Sequence, residues 1–328
     1  MTEALERPIR RRRLESTDVF CLLLIAAVIA RILFSDALSR PAIQAWTTVF
    51  IAICVQAAPF VVLGVAVSTA IAVYVPARFF TTVLPRQQSL AVPLAGVAGC
   101  LLPGCECGSV PVAASLSQRG VLAGPALAFL LSAPAVNPVV VVATAVAFPG
   151  HPAVVVARFV ASMAVAWVVG WIWAGTGRPL PVRGRAGHSH GPDGQSRLSA
   201  AASTASHDLA QTLGLLVVGA ASAATLKSVI PADWLTHLAG GTIRSALALA
   251  ALAVVLAVCS ESDAFIAASL TQFSLTARLA FMVVGPAVDV KLIVLQAGMF
   301  GRAFAVRFAP LCWLVAVVAS LAVGAVLL

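Results

Sequence analysis

The sequence predicts an all-α integral membrane protein built from an internal two-fold repeat, inverted, with broken or re-entrant helices near the membrane midplane. Three observations lead there. A chain of 328 residues that is 61% hydrophobic and only 10% charged has too few charges to cover a soluble surface. Two polar stretches, Gly104-Cys105-Glu106-Cys107-Gly108-Ser109 and Cys259-Ser260-Glu261-Ser262-Asp263, interrupt long apolar runs, where isolated charge is costly and normally lines a pathway. These stretches also match in context. A shift of 154 residues lays Cys105 on Cys259 and Ala113-Ala114-Ser115-Leu116 on Ala267-Ala268-Ser269-Leu270. A shift of 155 lays Gly64 to Pro76 on Gly219 to Pro231, and one of 152 lays Pro134-Ala135-Val136-Asn137 on Pro286-Ala287-Val288-Asp289. Such self-similarity is the mark of duplication.

Nine apolar segments of roughly membrane-spanning length follow in order. They run Val19 to Leu38, Trp46 to Tyr74, Leu90 to Leu116, Val121 to Phe148, Ala153 to Ala174, Leu209 to Ile230, Ser245 to Leu270, Ala277 to Phe300 and Phe304 to Leu328. The first, preceded by Arg7 and Arg10 to Arg13, resembles a signal peptide but continues past Arg31 without a small-residue cleavage site, and is read as an uncleaved helix. The third and seventh are broken at their centres, by Leu102-Pro103-Gly104 and by the polar run from Cys259 to Asp263. The domain organisation expected is a basic N-terminal segment with the first membrane helix (1–41), a first repeat (42–175), a polar linker (176–207) and a second repeat (208–328).

Arginine placement bears on topology. With the N-terminus cytoplasmic and every segment crossing, Arg178, Arg183, Arg185 and Arg197 fall outside, against the positive-inside tendency. If the third segment enters and returns, these residues fall inside, as do Arg78, Arg86, Arg119, Arg302 and Arg307. One such re-entrant element in each half inverts the second half relative to the first, an arrangement common among secondary transporters. Ser132-Ala133-Pro134-Ala135-Val136-Asn137-Pro138 leaves the alternative that the fourth segment also turns back, which restores parallel halves.

Lys and Arg outnumber acids 21 to 12, but they sit in short polar segments between apolar runs, which speaks for topology and against nucleic acid as a partner. The expected partners are the lipid bilayer, a small ionic or metalloid substrate and a second copy of the chain. Seven cysteines inside or beside apolar segments make no secreted disulfide framework. Cys21, Cys54, Cys100 and Cys312 read as small buried hydrophobes.

Cys105-Glu106-Cys107 is different: two thiols flank a carboxylate beside a Gly-Pro break, where backbone groups released from helical bonding face a cavity. Thiolates suit soft species such as trivalent arsenic, Cu(I) or Zn(II), so Cys105 and Cys107 are the candidate metal ligands. Glu106, Glu261, Asp263 and Asp289 are the acids deep within apolar segments, and Lys291 is the one lysine deep inside such a segment. They read either as proton carriers or as structural ion pairs, with Lys291 answering an acid across the repeat interface. Asp289 and Lys291, two positions apart, are expected on different helix faces. Asn137 beside Pro138 reads first as a mender of freed backbone groups. Ser109, Cys259 and Ser260 complete the expected pathway. His188 and His190 read as part of a solvated linker. The chain contains no phosphate-binding Gly-x-x-x-x-Gly-Lys-Ser/Thr loop, no Gly-x-Ser-x-Gly elbow and no His-Glu-x-x-His motif. Neither catalysis nor a cofactor is expected.

The stretches Pro103 to Pro111, Ala126 to Leu130, Pro134 to Pro138, Cys259 to Phe265 and Gly285 to Lys291 resemble a family of bacterial and archaeal predicted permeases that includes organoarsenical exporters. The resemblance runs from about Trp46 to the C-terminus. It implies a transporter of the cytoplasmic membrane, with some relatives exporting trivalent organoarsenicals and others associated with copper or zinc. The function expected is proton-coupled export of a soft metal or metalloid. A transmembrane thiol-disulfide carrier using Cys105, Cys107 and Cys259, and a membrane scaffold without transport, are the alternatives.

Overall fold

A computed structural model describes residues 41–74, 85, 87–101, 105–182, 197–229 and 241–328. Among them are twelve helices and no strand. In chain order these are α1 (Pro41–Tyr74), α2 (Gln88–Gly99), α3 (Glu106–Gln118), α4 (Ala123–Ala135), α5 (Pro138–Ala147), α6 (Pro152–Gly175), α7 (Arg197–Val229), α8 (Thr242–Leu256), α9 (Ser260–Ser269), α10 (Leu275–Ala287), α11 (Val290–Phe300) and α12 (Arg302–Leu327). The contacts divide the chain into Met1–Thr48 and Val49–Leu328. Of the first unit only the start of α1 is described, and the helix packing is that of the second. The expected first membrane segment, Leu102-Pro103-Gly104 and the linker histidines lie outside the described residues.

Six stretches among the described residues are long and apolar enough to cross a membrane: Ile43–Ile71, Ala123–Ala147, Pro152–Gly175, Ala205–Leu226, Leu275–Phe300 and Arg302–Leu327. The expected third segment is two shorter helices, α2 and α3, and the seventh is α8 and α9. Two of the six stretches are also broken, because the fourth segment divides into α4 and α5 and the eighth into α10 and α11. The expected polar stretch 176–207 ends inside α7, which begins at Arg197.

Each break has a local cause. Pro134 precedes the α4–α5 break and Pro138 opens α5, where a missing N–H costs nothing. Asn137 mends both sides: its Nδ2 donates to the Ala133 carbonyl at 3.0 Å and its Oδ1 accepts from the Val140 N–H at 3.0 Å. At the α10–α11 break Pro286 lies in the last turn, Val288 and Asp289 are extended, and Asp289 Oδ1 accepts from the Leu292 N–H at 2.6 Å. At the α8–α9 break Ala257 is left-handed, at φ +48°, a conformation that costs a non-glycine residue about 1–3 kcal/mol. Cys105 and Cys259 are the extended residues before α3 and α9.

Directions follow from contacts. Val92 lies over Gly124, and Gly99 lies against Phe129 and Ser132, so α2 and α4 run the same way. A tight turn closed by Val121 N–H on the Leu116 carbonyl, 3.1 Å, sends α4 back along α3. At one end of the α6–α12 contact Trp173 packs edge-on against Phe304 and Phe308, with ring centroids 5.0 and 5.8 Å away. At the other, Val156 and Val160 share a cavity with Val323 and Val326. These two helices are therefore antiparallel. The packing partners recur: α2 lies on α4 as α8 lies on α10, α4 on α6 as α10 on α12, and α5 on α9 as α11 on α3.

Close approach of α1 and α3 depends on small residues, as in membrane helix packing generally. A Cβ at Gly108 would sit 2.6 Å from the Phe60 carbonyl oxygen, which is backbone and cannot swing aside. Gly108→Val is expected to cost about 1–3 kcal/mol through overpacking and to lower the thermal midpoint of the protein in detergent. Gly175→Ala, at a position with nothing within 4 Å, is expected to leave that midpoint unchanged.

Candidate functional site

The four breaks supply the site. Each is the start of a short helix, and a helix start presents free N–H groups and the positive end of the helix dipole. Glu106 is the first residue of α3, Glu261 and Asp263 lie in the first turn of α9, and Asp289 caps α11. Acids are at home in those positions. Packing of α3 on α11 and of α5 on α9 brings parts far apart in sequence into contact.

Lys291 stands at the centre, 1% exposed. Its Nζ lies 2.5 Å from Glu106 Oε1 on α3 and 3.4 Å from Asp289 Oδ2 on its own segment. It also donates to the Ala257 carbonyl at 3.0 Å, and Cys259 Sγ lies at 3.8 Å. The left-handed turn at Ala257 thus leaves a carbonyl that the ammonium uses. Ser260 Oγ donates to the second oxygen of Glu106 at 3.1 Å. Two carboxylates and one ammonium leave this buried group with one surplus negative charge when all are ionised.

A second pair lies beside it. Arg158, 2% exposed on α6, meets both oxygens of Asp263 on α9, at 2.8 and 2.9 Å. Its remaining contacts are the Ser260 carbonyl at 2.9 Å and Thr144 Oγ1 on α5 at 2.7 Å, and Thr144 in turn donates to the Val140 carbonyl. Arg158 therefore ties α6, α5 and α9 together.

Most of the residues expected from sequence converge here. Cys105, Glu106, Cys107, Cys259, Ser260, Asp289 and Lys291 form one buried cluster in which Cys105 and Cys107 are in hydrogen-bonding contact and the charge of Lys291 reaches Cys107 and Cys259. Asp263 sits one step away, on Arg158. Glu261 is half-buried, and its Oε2 is buried without a hydrogen-bond partner among the described residues. Ser109 turns onto its own helix, donating to the Glu106 carbonyl at 3.0 Å. Asn137 bonds across the α4–α5 break. Among the described residues no three His, Cys, Asp or Glu side chains gather as a metal-holding group, so Cys105 and Cys107 stand as a pair of free thiols. Of the remaining cysteines, Cys312 is fully buried, Cys54 and Cys100 are half-buried, and Cys21 lies outside the described residues.

One sequence expectation needs correction, and one residue of the site has none. Asp289 and Lys291 share one site rather than opposite faces, because Asp289 precedes the helix in extended backbone, where helical spacing does not apply. Arg158 carries no sequence expectation at all. Its signal is a lone arginine seven residues into an otherwise uncharged apolar helix.

Residues 42–325 match the predicted-permease family. The chain belongs to that family. Among curated proteins this permease is 32% identical over 263 residues to UPF0718 protein YcgR of Bacillus subtilis, covering 78% of this chain and 89% of the relative. It is 29% identical over 282 residues to a Streptococcus mutans protein named as a subunit of a two-component membrane permease complex, covering 84% and 94%. No solved structure matches.

Removing one member of a buried pair leaves an uncompensated charge, at a cost of about 3–5 kcal/mol. Arg158→Met is expected to lose that much stability in a reversible detergent unfolding measurement. Combining it with Asp263→Asn is expected to recover a large part, since no charge is then orphaned.

Proposed function

We propose that this permease exports a small soft metal or metalloid species across the cytoplasmic membrane in exchange for protons, with Cys105, Cys107 and Cys259 holding the cargo and Glu106, Glu261, Asp263 and Asp289 serving the proton side. The observation that carries the reading is the buried Cys105–Cys107 pair beside a carboxylate–ammonium cluster at the starts of α3 and α11, with Cys259 Sγ 3.8 Å from the Lys291 ammonium. Thiol sulfur suits soft species. A charged cluster deep inside a membrane protein is costly to bury and commonly marks a substrate or ion pathway. Ser109, Ser260, Asn137 and Lys291 border the same pathway.

The two halves, 42–175 and 208–328 joined by the linker 176–207, are read as inverted repeats that rock against each other around this cluster. The recurrence of packing partners supports the repeat, and the antiparallel contact of α6 with α12 supports its inversion. The shared direction of α2 and α4, with α3 returning between them in sequence, supports a re-entrant third segment. The seventh segment, α8 and α9, is its counterpart. With the N-terminus cytoplasmic, this arrangement keeps the linker arginines, Arg119 and Arg302 inside, as the positive-inside tendency favours. The relative named as a complex subunit supports a further polypeptide in the working assembly, either a second copy of this chain or a partner.

Uptake of arsenite, a methylated trivalent arsenical, Zn(II) and Cu(I) into everted vesicles, with and without a proton gradient, tests the reading. Gradient-dependent uptake of one species is expected, with loss of at least about tenfold in Cys105→Ser/Cys107→Ser. No uptake of any species by the wild type would sink the soft-cargo reading. Undiminished flux in the double variant would reduce the thiols to packing residues.

A further inference from the structure

The two short helices α3 and α9 begin alike and are held differently. At the 154-residue shift of the repeat, Cys105 and Glu106 correspond to Cys259 and Ser260, and Ser109 corresponds to Asp263. In α3 the first turn secures itself, because Ser109 Oγ donates to the Glu106 carbonyl at 3.0 Å. In α9 the corresponding residue is a carboxylate, which accepts hydrogen bonds and cannot donate one to the Ser260 carbonyl. Arg158 supplies the donor. Its Nη2 lies 2.9 Å from the Ser260 carbonyl oxygen and 2.8 and 2.9 Å from the two oxygens of Asp263. A hydroxyl within one helix is thus replaced by an arginine from another helix and from the other half of the chain.

What that arginine holds is the corner that presents Cys259. Cys259 is the extended residue before α9, its side chain makes no capping bond, and its Sγ meets Lys291 Nζ at 3.8 Å. Lys291 grips the corner from one side, at the Ala257 carbonyl and Cys259 Sγ, and Arg158 grips it from the other, at the Ser260 carbonyl and Asp263. Ser260 takes part in both, since its carbonyl accepts from Arg158 while its hydroxyl donates to Glu106 at 3.1 Å. Thr144 on α5 fixes the guanidinium from behind, accepting from Nη1 at 2.7 Å.

We propose that Arg158 is a positioning residue of the thiol site: through the Ser260 carbonyl it sets where the Cys259 thiol and the Ser260 hydroxyl stand relative to Lys291 and Glu106. The inference rests on the reading of Cys259 as a holder of cargo and deepens it, because a soft species is bound only as well as its sulfur is placed. Groups that orient a ligand side chain from behind commonly account for about 10–100-fold in affinity. A plain staple among α5, α6 and α9 would have no such effect at the thiol.

The repeat itself supplies the test. Arg158→Met/Asp263→Ala removes the ion pair without orphaning a charge and leaves the Ser260 carbonyl without its donor. Arg158→Met/Asp263→Ser removes the same pair but sets a hydroxyl where α3 has one. The chain has two lysines, Lys227 and Lys291, so Lys227→Arg leaves a single ζ-nitrogen to observe. The readout is the through-space 15N–13C coupling between that nitrogen and cysteine β-carbons in full-length protein in lipid bilayers without metal, the Cys259 part being the one lost in Cys259→Ala. The expected result is a Cys259 coupling present in the parent, lost with Asp263→Ala and restored with Asp263→Ser. Equal couplings in the two folded double variants, whether both kept or both lost, would overturn the proposal. If the small side chains pack too loosely to fold, Asp263→Val and Asp263→Thr, which differ in the same hydroxyl, give the same comparison.

In everted vesicles the Asp263→Ala double variant is expected to show a KM for the cargo about tenfold or more above that of the Asp263→Ser double variant, both lacking the same carboxylate. Equal KM values would reduce Arg158 to a staple and overturn the proposal. Because the coupling is read without flux, wild-type vesicles that take up nothing would sink the transport reading while the coupling still decides whether Arg158 places Cys259.

Discussion

The structure depends on a single buried ammonium. Moving a charge of that size out of water costs several kcal/mol even after relaxation, and a protein tolerates it only where oxygens are arranged to receive it. Lys291 has four acceptors within 4 Å: Glu106, Asp289, the Ala257 carbonyl and the Cys259 sulfur. No continuous helix can offer that set, because its carbonyls are used and its side chains point outward. The chain therefore breaks helices. α8 stops at a left-handed alanine, α11 starts from an extended aspartate, and α3 starts at the glutamate itself.

The same constraint explains why the cations and acids come from opposite ends of the sequence. Glu106 belongs to the first half and Lys291 to the second, while Arg158 belongs to the first and Asp263 to the second. Neither half can satisfy its own buried charges completely, so each requires the other. Arg158 is held on several sides and behaves as a fixed fastening among α5, α6 and α9. Lys291 is held among α3, the α8–α9 break and its own segment by Glu106, the Ala257 carbonyl, Cys259 and Asp289.

Much of this is legible in the sequence. Thiols, carboxylates and a lysine in the middle of apolar runs locate the cluster, since their desolvation cost marks them out wherever they occur. Prolines 134, 138 and 286 and the polar run after Cys259 locate the breaks. The partners of the charges are not legible, because a periodic pattern describes one helix and an ion pair joins two. Arg158 escapes notice for a related reason. A single arginine in an apolar helix can snorkel toward the membrane surface or turn inward, and only the neighbouring Thr144 and Asp263 decide between them. Asp289 misleads because helical spacing does not extend to a residue that lies just before its helix.

The most direct measurement is the through-space 15N–13C dipolar coupling between the lysine ζ-nitrogen and glutamate δ-carbons in the Lys227→Arg protein in lipid bilayers. A strong coupling at neutral pH, lost in Glu106→Gln and retained in Glu261→Gln, is the result expected if Lys291 joins the halves through Glu106. Absence of any lysine–glutamate coupling in the folded protein would contradict the central contact, and with it the account of why the helices break where they do.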